Sequence, residues 1–203
     1  MPVIVSIKSG AVEELKRIEL SDGSSFSFKT CYLPALNEGC FYPLVEGGEI
    51  SPAEAEGFRF ASACLRAEMA ALRLIARAEQ CTFGLERKLE RRGYKPACIS
   101  AAISRLLQLG LVDDKRFARL WLESKLHIAQ SPRRLLISLC TRGISHSDAQ
   151  TAIKAVLDEE RELVILRRFA EKQKKRGKDT RQLKYLLKSE GFSTAAIHSY
   201  LEI

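Results

Sequence analysis

Two adjacent carboxylates, Asp113 and Asp114, stand directly before two cations, Lys115 and Arg116, in the segment GLVDDKRFAR. Paired carboxylates can take part in acid–base catalysis or bind a divalent cation. Either kind of site needs further groups that converge on the pair. The first question is therefore whether this chain supplies such groups, or whether the aspartates have a structural role at the start of a helix.

The other residue types that could support such a pair are scattered along the chain. The three histidines have no HxxxH or HExxH spacing, and the six cysteines lie nine or more positions apart. This spacing excludes CxxC-type zinc ribbons and redox pairs, and favours reduced, partly buried thiols over a disulfide framework. The histidines are His127, His146 and His198, and the cysteines are Cys31, Cys40, Cys64, Cys81, Cys98 and Cys140.

Motifs that bind nucleotides or position a nucleophile are missing as well. The chain has no GxxxxGK(S/T), GxGxxG or GxSxG segment, so we expect no cofactor, no metal and no catalytic residue. No apolar run approaches the roughly 20 residues that span a bilayer, and the N-terminus lacks a basic region followed by a long apolar one. We therefore expect a soluble, cytoplasmic protein that is not an enzyme. An active site assembled from distant residues is the least favoured alternative.

Charge is distributed unevenly along the chain. Residues 1–60 contain five Lys/Arg and nine Asp/Glu, a net charge of −4, so the rest carries +12 against +8 for the whole chain. Such asymmetry indicates an acidic partner, of which nucleic acid is the commonest. Solubility alone explains the charge equally well. With 46% hydrophobic and 29% charged residues, the chain can bury a core and is not a disordered tail.

The sequence changes character near residue 50. Before it, Val3, Val5 and Ile7 occupy alternate positions, and two further alternating apolar runs flank the segment SDGS at 21–24. An Asp-Gly pair between such runs is a strong hairpin signal, because tight hairpin turns need residues with positive φ. We expect three short strands between residues 2 and 30.

Helices are expected from residue 51 onward. The segment SPAE at 51–54 has the form of a helix start, with Ser as N-cap, Pro at the first helical position and Glu closing a capping box. The Ala/Leu/Arg-rich sequence that follows predicts a helix to about residue 80.

A repeat follows, and three glycines, Gly93, Gly143 and Gly191, mark it at spacings of 50 and 48 residues. A leucine stands four and eight residues before each glycine, which predicts one buried helix face ended by the glycine. Apolar residues one, six and ten positions after each glycine predict a second helix. A further helical stretch precedes each pair, at about 62–79, 114–129 and 160–176. The matched leucines are Leu85, Leu89, Leu135, Leu139, Leu183 and Leu187.

The fold class that follows is mostly α, a tandem array of three three-helix repeats with a small N-terminal three-strand or β-hairpin region. The expected domains are a β-rich extension at 1–50, a linker helix with repeat 1 at 51–112, repeat 2 at 113–159 and repeat 3 at 160–203. In this frame Gly110 ends repeat 1, Leu111 and Val112 pack the crossover, and Asp113 or Asp114 caps the next helix. The aspartates are then structural.

Without signs of catalysis, the expected activity is the binding of another molecule. The cations of the repeats are the candidate contact residues. A row of cations on an elongated helical array can follow a phosphate backbone, although cations in the last turn of a helix also simply favour its C-terminus. As a set they indicate an anionic or nucleoprotein partner. The candidate contacts are Arg87, Lys88, Arg91, Arg92, Arg133, Arg134, Lys172, Lys174, Lys175, Arg176 and Lys178.

Three segments together resemble the RecX family of bacterial recombinase regulators: GLVDDKRFAR, SPRRLLISLCTRGIS and IARAEQCTFGLERKLERRGY. The resemblance covers about residues 66–203. Two positions depart from the family pattern. Ser131 replaces a glycine before Pro132, and the segment CTFG at 81–84 replaces a Ser-x-x-Glu helix start.

The resemblance implies a non-catalytic protein that binds the RecA recombinase or its filament on single-stranded DNA. It implies further that DNA-dependent ATP hydrolysis and strand exchange fall when the protein binds. Direct binding of single- or double-stranded DNA is a possible addition, and no membrane or small-molecule partner is expected. The alternative is a sequence-tolerant nucleic-acid-binding protein without a recombinase partner.

Overall fold

The computed structural model describes residues 1–10, 12–33, 44–128 and 130–202, so Cys40 lies outside the described residues. Within these ranges the chain forms a three-stranded sheet, a short 3-10 helix at Thr30–Tyr32 and nine α-helices. The strands are β1 (Ile4–Ser9), β2 (Leu15–Leu20) and β3 (Ser25–Lys29). The helices are α1 (Pro52–Ile75), α2 (Thr82–Glu90), α3 (Pro96–Gln108), α4 (Asp114–Lys125), α5 (Pro132–Cys140), α6 (His146–Val156), α7 (Glu159–Lys174), α8 (Thr180–Ser189) and α9 (Thr194–Leu201).

This architecture confirms the fold class predicted from the sequence. Repeat 1 consists of α1–α3, repeat 2 of α4–α6 and repeat 3 of α7–α9. Helix α1 ends at Ile75, about five residues before the predicted end at 80. The N–H of Arg77 bonds to the carbonyl of Leu74, three residues back, so the helix closes in a tighter final turn.

The three strands form an antiparallel sheet in chain order, with Ile18 of β2 directly opposite Phe26 of β3. The predicted hairpin turn lies between them. The N–H of Gly23 donates to the carbonyl of Leu20 at 3.0 Å, and Gly23 has a φ of 85°. The N–H of Leu20 also donates to the carbonyl of Ser24 at 2.8 Å, so residues 21–23 form a three-residue hairpin loop with glycine in the left-handed region.

Helix α1 begins at the predicted capping box. The Oγ of Ser51 accepts a hydrogen bond from the N–H of Glu54 at 3.2 Å, and the Glu54 carboxylate accepts one from the N–H of Ser51 at 2.7 Å. The helix packs on the sheet through aromatic rings, with the centroids of Phe28 and Phe58 5.2 Å apart. The sheet is thus part of the same apolar core as α1 and α3.

A buried ion pair fixes the end of β3 against the middle of α1. The carboxylate of Glu68 is only 2% exposed, and it accepts hydrogen bonds from Lys29 Nζ at 2.6 Å and Tyr32 Oη at 2.8 Å. Burial and the hydrogen bond to Glu68 raise the pKa of Tyr32, so its hydroxyl stays neutral and can donate. This network is the polar connection between sheet and helix.

The three anchor glycines share one turn geometry. Their φ angles are 80°, 85° and 82° for Gly93, Gly143 and Gly191. In each turn the residue after the glycine donates its N–H to the carbonyl of the leucine four residues before the glycine, at 3.2–3.3 Å. These bonds define the Schellman ending of a helix and explain why leucine, glycine and an apolar residue recur together.

The described residues form two compact units, Met1–Glu79 with Leu85–Val112 and Gln80–Gly84 with Asp113–Ile203. In the second unit, repeats 2 and 3 each have an apolar cluster, and Leu126 and Leu157 pack against both clusters. Repeats 2 and 3 are therefore joined by shared apolar contacts. No helix among the described residues is long and apolar enough to cross a membrane.

Within the second unit, two anchor glycines lie close to the start of a neighbouring helix: Gly143 to that of α2 and Gly191 to that of α5. A Cβ atom placed on Gly143 would overlap the Cβ of Phe83 and come within 2.8 Å of its Cγ. A Cβ on Gly191 would contact Pro132 and Arg133 at 3.5 Å or more. Glycine at position 143 is thus needed for two reasons: the turn requires a positive φ, and Phe83 leaves no room for a side chain.

We expect Glu68→Ala to lower the free energy of unfolding by about 3 kcal/mol, because it leaves the largely buried ammonium of Lys29 without its counterion. Urea unfolding followed by circular dichroism measures this. Glu56→Ala is the matched control, since Glu56 forms an exposed pair with Arg59 on the same helix and its loss changes stability by about 0.5 kcal/mol or less. Equal effects of the two substitutions would contradict the structural role of Glu68.

We expect Gly143→Ala to destabilise the second unit more than Gly177→Ala. Both glycines have positive φ, 85° and 80°, so alanine costs about 1–2 kcal/mol at either position. Only at Gly143 does the new Cβ also meet another side chain, since nothing lies within 4 Å at Gly177. The fluorescence of Trp121, the one tryptophan of the chain, follows unfolding of this unit in urea. Equal midpoints for the two variants would disprove the contact with Phe83.

Candidate functional site

The sequence predicted that Asp113 or Asp114 caps helix α4, and in the structure the N-cap is Asp113. Its Oδ1 accepts hydrogen bonds from the N–H groups of Lys115 at 2.8 Å and Arg116 at 3.0 Å. The backbone hydrogen bond from Arg116 is the main cause that lowers the pKa of Asp113 below its ordinary value. The backbone N–H groups at the helix start thus favour the ionised form of this carboxylate.

Asp114 has a different structural role, which the sequence did not reveal. Its Oδ1 accepts a hydrogen bond of 2.7 Å from the N–H of Thr82, the first residue of α2. The helix start at 81–84 departs from the family pattern because Cys81 stands where a capping serine is expected. The carboxylate of Asp114 accepts a hydrogen bond from that helix start, as a capping serine would. The missing capping residue was the available signal for this contact.

The chemistry-bearing side chains of the described residues do not converge. No group of three or more His, Cys, Asp or Glu among them could hold a metal ion. The three histidines are exposed, and His198 pairs with Glu202, their Nδ1 and Oε1 atoms 2.8 Å apart. Val112 is buried as expected at the crossover, whereas Leu111 is 40% exposed. The two aspartates are therefore helix-terminus residues.

All eleven candidate contact residues have exposed side chains. On α2, the candidate cations Arg87 and Lys88 lie away from Leu85 and Leu89, which are fully buried. Arg91 and Arg92 continue this surface into the turn before Gly93, and neither forms an ion pair with the described residues. The four candidate cations of repeat 1 are thus exposed to solvent.

Arg133 and Arg134 occupy the first turn of α5, where the positive end of the helix dipole disfavours cations. For Arg133 the neighbouring helix offsets this cost. Its N–H donates to the carbonyl of Glu190 at 3.0 Å and its Nη1 to the carbonyl of Ser189 at 3.4 Å, both at the end of α8. Arg134 is exposed and has no ion-pair partner among the described residues. Among the eleven candidate contacts, Arg134 is the cation in the first turn of a helix that no contact with the described residues compensates.

The cluster at 172–178 lies at the opposite kind of helix end. It occupies the last turn of α7 and the residues after it, where cations favour the helix dipole. The Nζ of Lys174 also lies 5.3 Å from the centroid of the Tyr200 ring. Part of this cluster is thus explained by local stability, which makes it a weaker indicator of binding than Arg134.

Sequence reasoning missed a further basic surface on α8, which we call the α8 surface. It consists of Arg181, Lys184, Tyr185 and Lys188, all exposed. Its cations are three and four positions apart in the sequence and form no run of adjacent charges. Their i, i+3, i+7 spacing on one helix was the available signal.

Comparison with known proteins identifies the relatives of this chain. A family model described as the first three-helix domain of RecX matches residues 67–106. Regulatory protein RecX of Treponema pallidum (strain Nichols) is 33% identical over 145 residues, which cover 71% of this chain and 88% of that protein. Regulatory protein RecX of Caldanaerobacter subterraneus subsp. tengcongensis is 26% identical over 133 residues, covering 66% and 68%.

Two crystal structures share the fold. A structure of regulatory protein RecX aligns over 100% of both chains with a TM-score of 0.75 and 17% identity. RecX from Lactobacillus salivarius aligns over 70% of this chain and 96% of that one, with a TM-score of 0.58 and 21% identity. At these identities the two structures show the arrangement of helices and strands alone.

We expect Asp113→Ala to lower the stability of the second unit by about 1 kcal/mol at pH 7, as for other N-cap substitutions. Because the pKa of Asp113 is lower in the folded than in the unfolded chain, its charge stabilises the fold above its ordinary pKa of 3.8. That contribution of the charge is lost as the pH falls through the folded pKa, so the difference in stability between wild type and variant becomes smaller in acid. Trp121 fluorescence in urea at several pH values measures the difference.

Asp113→Asn is the control for this prediction, because asparagine keeps the accepting oxygen and caps helices about as well as aspartate. We expect it to retain most of the stability at pH 7. A stability loss for Asp113→Ala that stays constant down to acid pH would contradict the assigned role of the charge.

Proposed function

Because the chain belongs to the RecX family of regulatory proteins, we propose that it modulates the RecA recombinase by binding its filament on single-stranded DNA. In this proposal the protein performs no catalysis. Binding restrains the growth or turnover of the filament, so that ATP hydrolysis and strand exchange fall. The physical requirement is an exposed surface that suits an anionic partner.

The observation that carries the proposal is the exposed charge of Arg134. A cation in the first turn of α5 opposes the helix dipole, and the described residues provide no acid to compensate it. A charge retained at a cost to its own helix is typical of a binding residue. Carboxylates of a protein surface or phosphates of bound DNA would both satisfy it.

The other candidate contacts fit this proposal as further exposed positive charges that attract an anionic partner. Arg91 and Arg92 in repeat 1 and the cluster at 172–178 in repeat 3 are exposed. The net charge of +8 favours encounter with a nucleoprotein. Exposed cations spread over several repeats are expected to steer association, and a smaller number set the lifetime of the complex.

The alternative function is sequence-tolerant nucleic-acid binding without a recombinase partner, which the exposed cations of the α8 surface favour. Titration of the protein into RecA and single-stranded DNA, with ATP hydrolysis as the readout, separates the two. The proposal requires hydrolysis to fall at ratios of protein too low to coat the DNA. No fall, with DNA binding intact, would replace the proposal with the alternative.

We expect Arg134→Glu to weaken inhibition of RecA ATP hydrolysis by about fivefold, because reversal of one partly solvated charge contact costs on the order of 1 kcal/mol. The concentration that gives half-inhibition is the measured quantity. Lys154→Glu is the matched control, since Lys154 is an exposed cation in the last turn of α6 of the same repeat and lies outside the candidate set.

Arg133→Glu tests the same surface less cleanly, because Arg133 also donates to α8. A urea unfolding curve of the variant is therefore measured as well, to separate a loss of stability from a loss of binding. Equal half-inhibition by wild type, Arg134→Glu and Lys154→Glu would remove Arg134 from the interface.

A further inference from the structure

The α8 surface carries an aromatic side chain in an unusual position. Tyr185 is 70% exposed, although Leu183 and Leu187 on the opposite face of the same helix are fully buried. Its side chain forms no ring contact, cation–π contact or hydrogen bond with the part of the chain that the structure describes. A large ring left in water at a fixed place on a helix is available to a ligand.

Cations stand on one flank of this ring. Arg181 and Lys188 lie one turn before and one turn after Tyr185, and Lys184 lies between them. The three span about 10 Å along the helix at its usual rise per residue. None pairs with an acid among the described residues, and the nearest acid before them, Asp179, accepts from the N–H of Gln182 as the N-cap of α8.

Comparison of the repeats shows that the position of Tyr185 always faces outward. Counted back from the anchor glycines, Arg87, Ile137 and Tyr185 occupy the same place, and all three are exposed. The backbone therefore presents this site to solvent regardless of the residue type. Only repeat 3 combines an aromatic residue there with a flanking row of cations.

We propose that the α8 surface binds single-stranded DNA, with a base stacked on Tyr185 and successive phosphates against Arg181, Lys184 and Lys188. Proteins that bind single strands without sequence preference combine a basic path for the backbone with an aromatic platform for the bases. Every base has a π-face, so the site needs no hydrogen bonds to base edges. The sequence contains no recognised DNA-reading motif, which agrees with a site of this kind.

The aromatic ring decides between single strands and other anions. In a duplex the bases are already stacked on each other, so Tyr185 gains nothing and only the cations contribute. An acidic protein segment would likewise use the cations and leave the ring in water. A contribution from the ring itself is therefore the signature of an unstacked base.

The inference rests on the proposed function in one respect, because the DNA strand within a recombinase filament is its expected source. The site itself is tested without recombinase. The full-length protein is titrated into a fluorescein-labelled oligodeoxythymidine and, separately, into a duplex of the same length, and binding is followed by fluorescence anisotropy.

Tyr185→Leu removes the ring and keeps an apolar side chain, and Tyr185→Phe keeps the ring. We expect Tyr185→Leu to weaken single-strand binding by about tenfold, the effect of losing one stacked base, and to leave duplex binding unchanged. Tyr185→Phe should bind like wild type. Ile137→Ala, at the equivalent outward position of repeat 2, is the matched control and should also bind like wild type.

Arg181→Gln and Lys188→Gln test the phosphate path. Each should weaken single-strand binding and reduce the slope of log affinity against log salt by about 0.7, the value for one phosphate contact with a single strand. Loss of affinity without a change of slope would overturn the phosphate contacts. Circular dichroism of each variant verifies that the helices are intact.

Single-strand affinity unchanged in Tyr185→Leu would overturn the stacking site, even if the charge variants weaken binding. Equal losses for single strand and duplex would overturn it as well. The proposed function is judged separately by RecA ATP hydrolysis. Inhibition retained in Tyr185→Leu with unchanged DNA affinity rejects the inference alone, whereas Tyr185-dependent DNA binding without any effect on RecA rejects the proposed function alone.

Discussion

The turn after the second helix of each repeat sets the geometry of the helical array. Its glycine has a positive φ, and the following residue donates its N–H to the carbonyl of the second buried leucine. The apolar side chain after the glycine is thereby directed back toward the core, which fixes where the third helix starts. Burial of the leucines on one side leaves the opposite side of the second helix in solvent. The outward placement of Arg87, Ile137 and Tyr185 depends on this single constraint.

Local signals were sufficient to predict most of the fold. The capping box of Ser51 and Glu54, the hairpin at Gly23 and the leucine–glycine repeat are all formed by residues within eight positions of one another. Their physical basis lies in the backbone and its nearest neighbours, so one sequence contains the required information. The end of α1 was predicted less well, because an Ala/Leu/Arg-rich sequence continues past Ile75 and a tighter final turn closes the helix.

Contacts between distant segments could not be predicted in this way. The carboxylate of Glu68 meets Lys29 and Tyr32 across more than 30 positions, and Asp114 meets Thr82 across 32. Only the packing of helices and strands brings such groups together. For the candidate site, the sequence identified cations that are adjacent in the chain, whereas a binding surface is made by cations that share a helix face. Tyr185 was therefore missed, although its three cationic neighbours have regular helical spacing.

The surfaces of repeats 2 and 3 meet where the start of α5 approaches the end of α8. The N–H of Arg133 donates to the carbonyl of Glu190, so unpaired groups at the two helix termini satisfy each other. The hydroxyl of buried Ser131 donates to the carboxylate of Glu190, so the Glu190 side chain is also hydrogen-bonded at this junction. Lys188 lies two residues before Glu190, so the row of cations on α8 ends near the residue whose carbonyl accepts from Arg133. The glycine turn at Gly191 belongs to the same junction, because a Cβ atom there would lie 3.5–3.9 Å from atoms of Pro132 and Arg133.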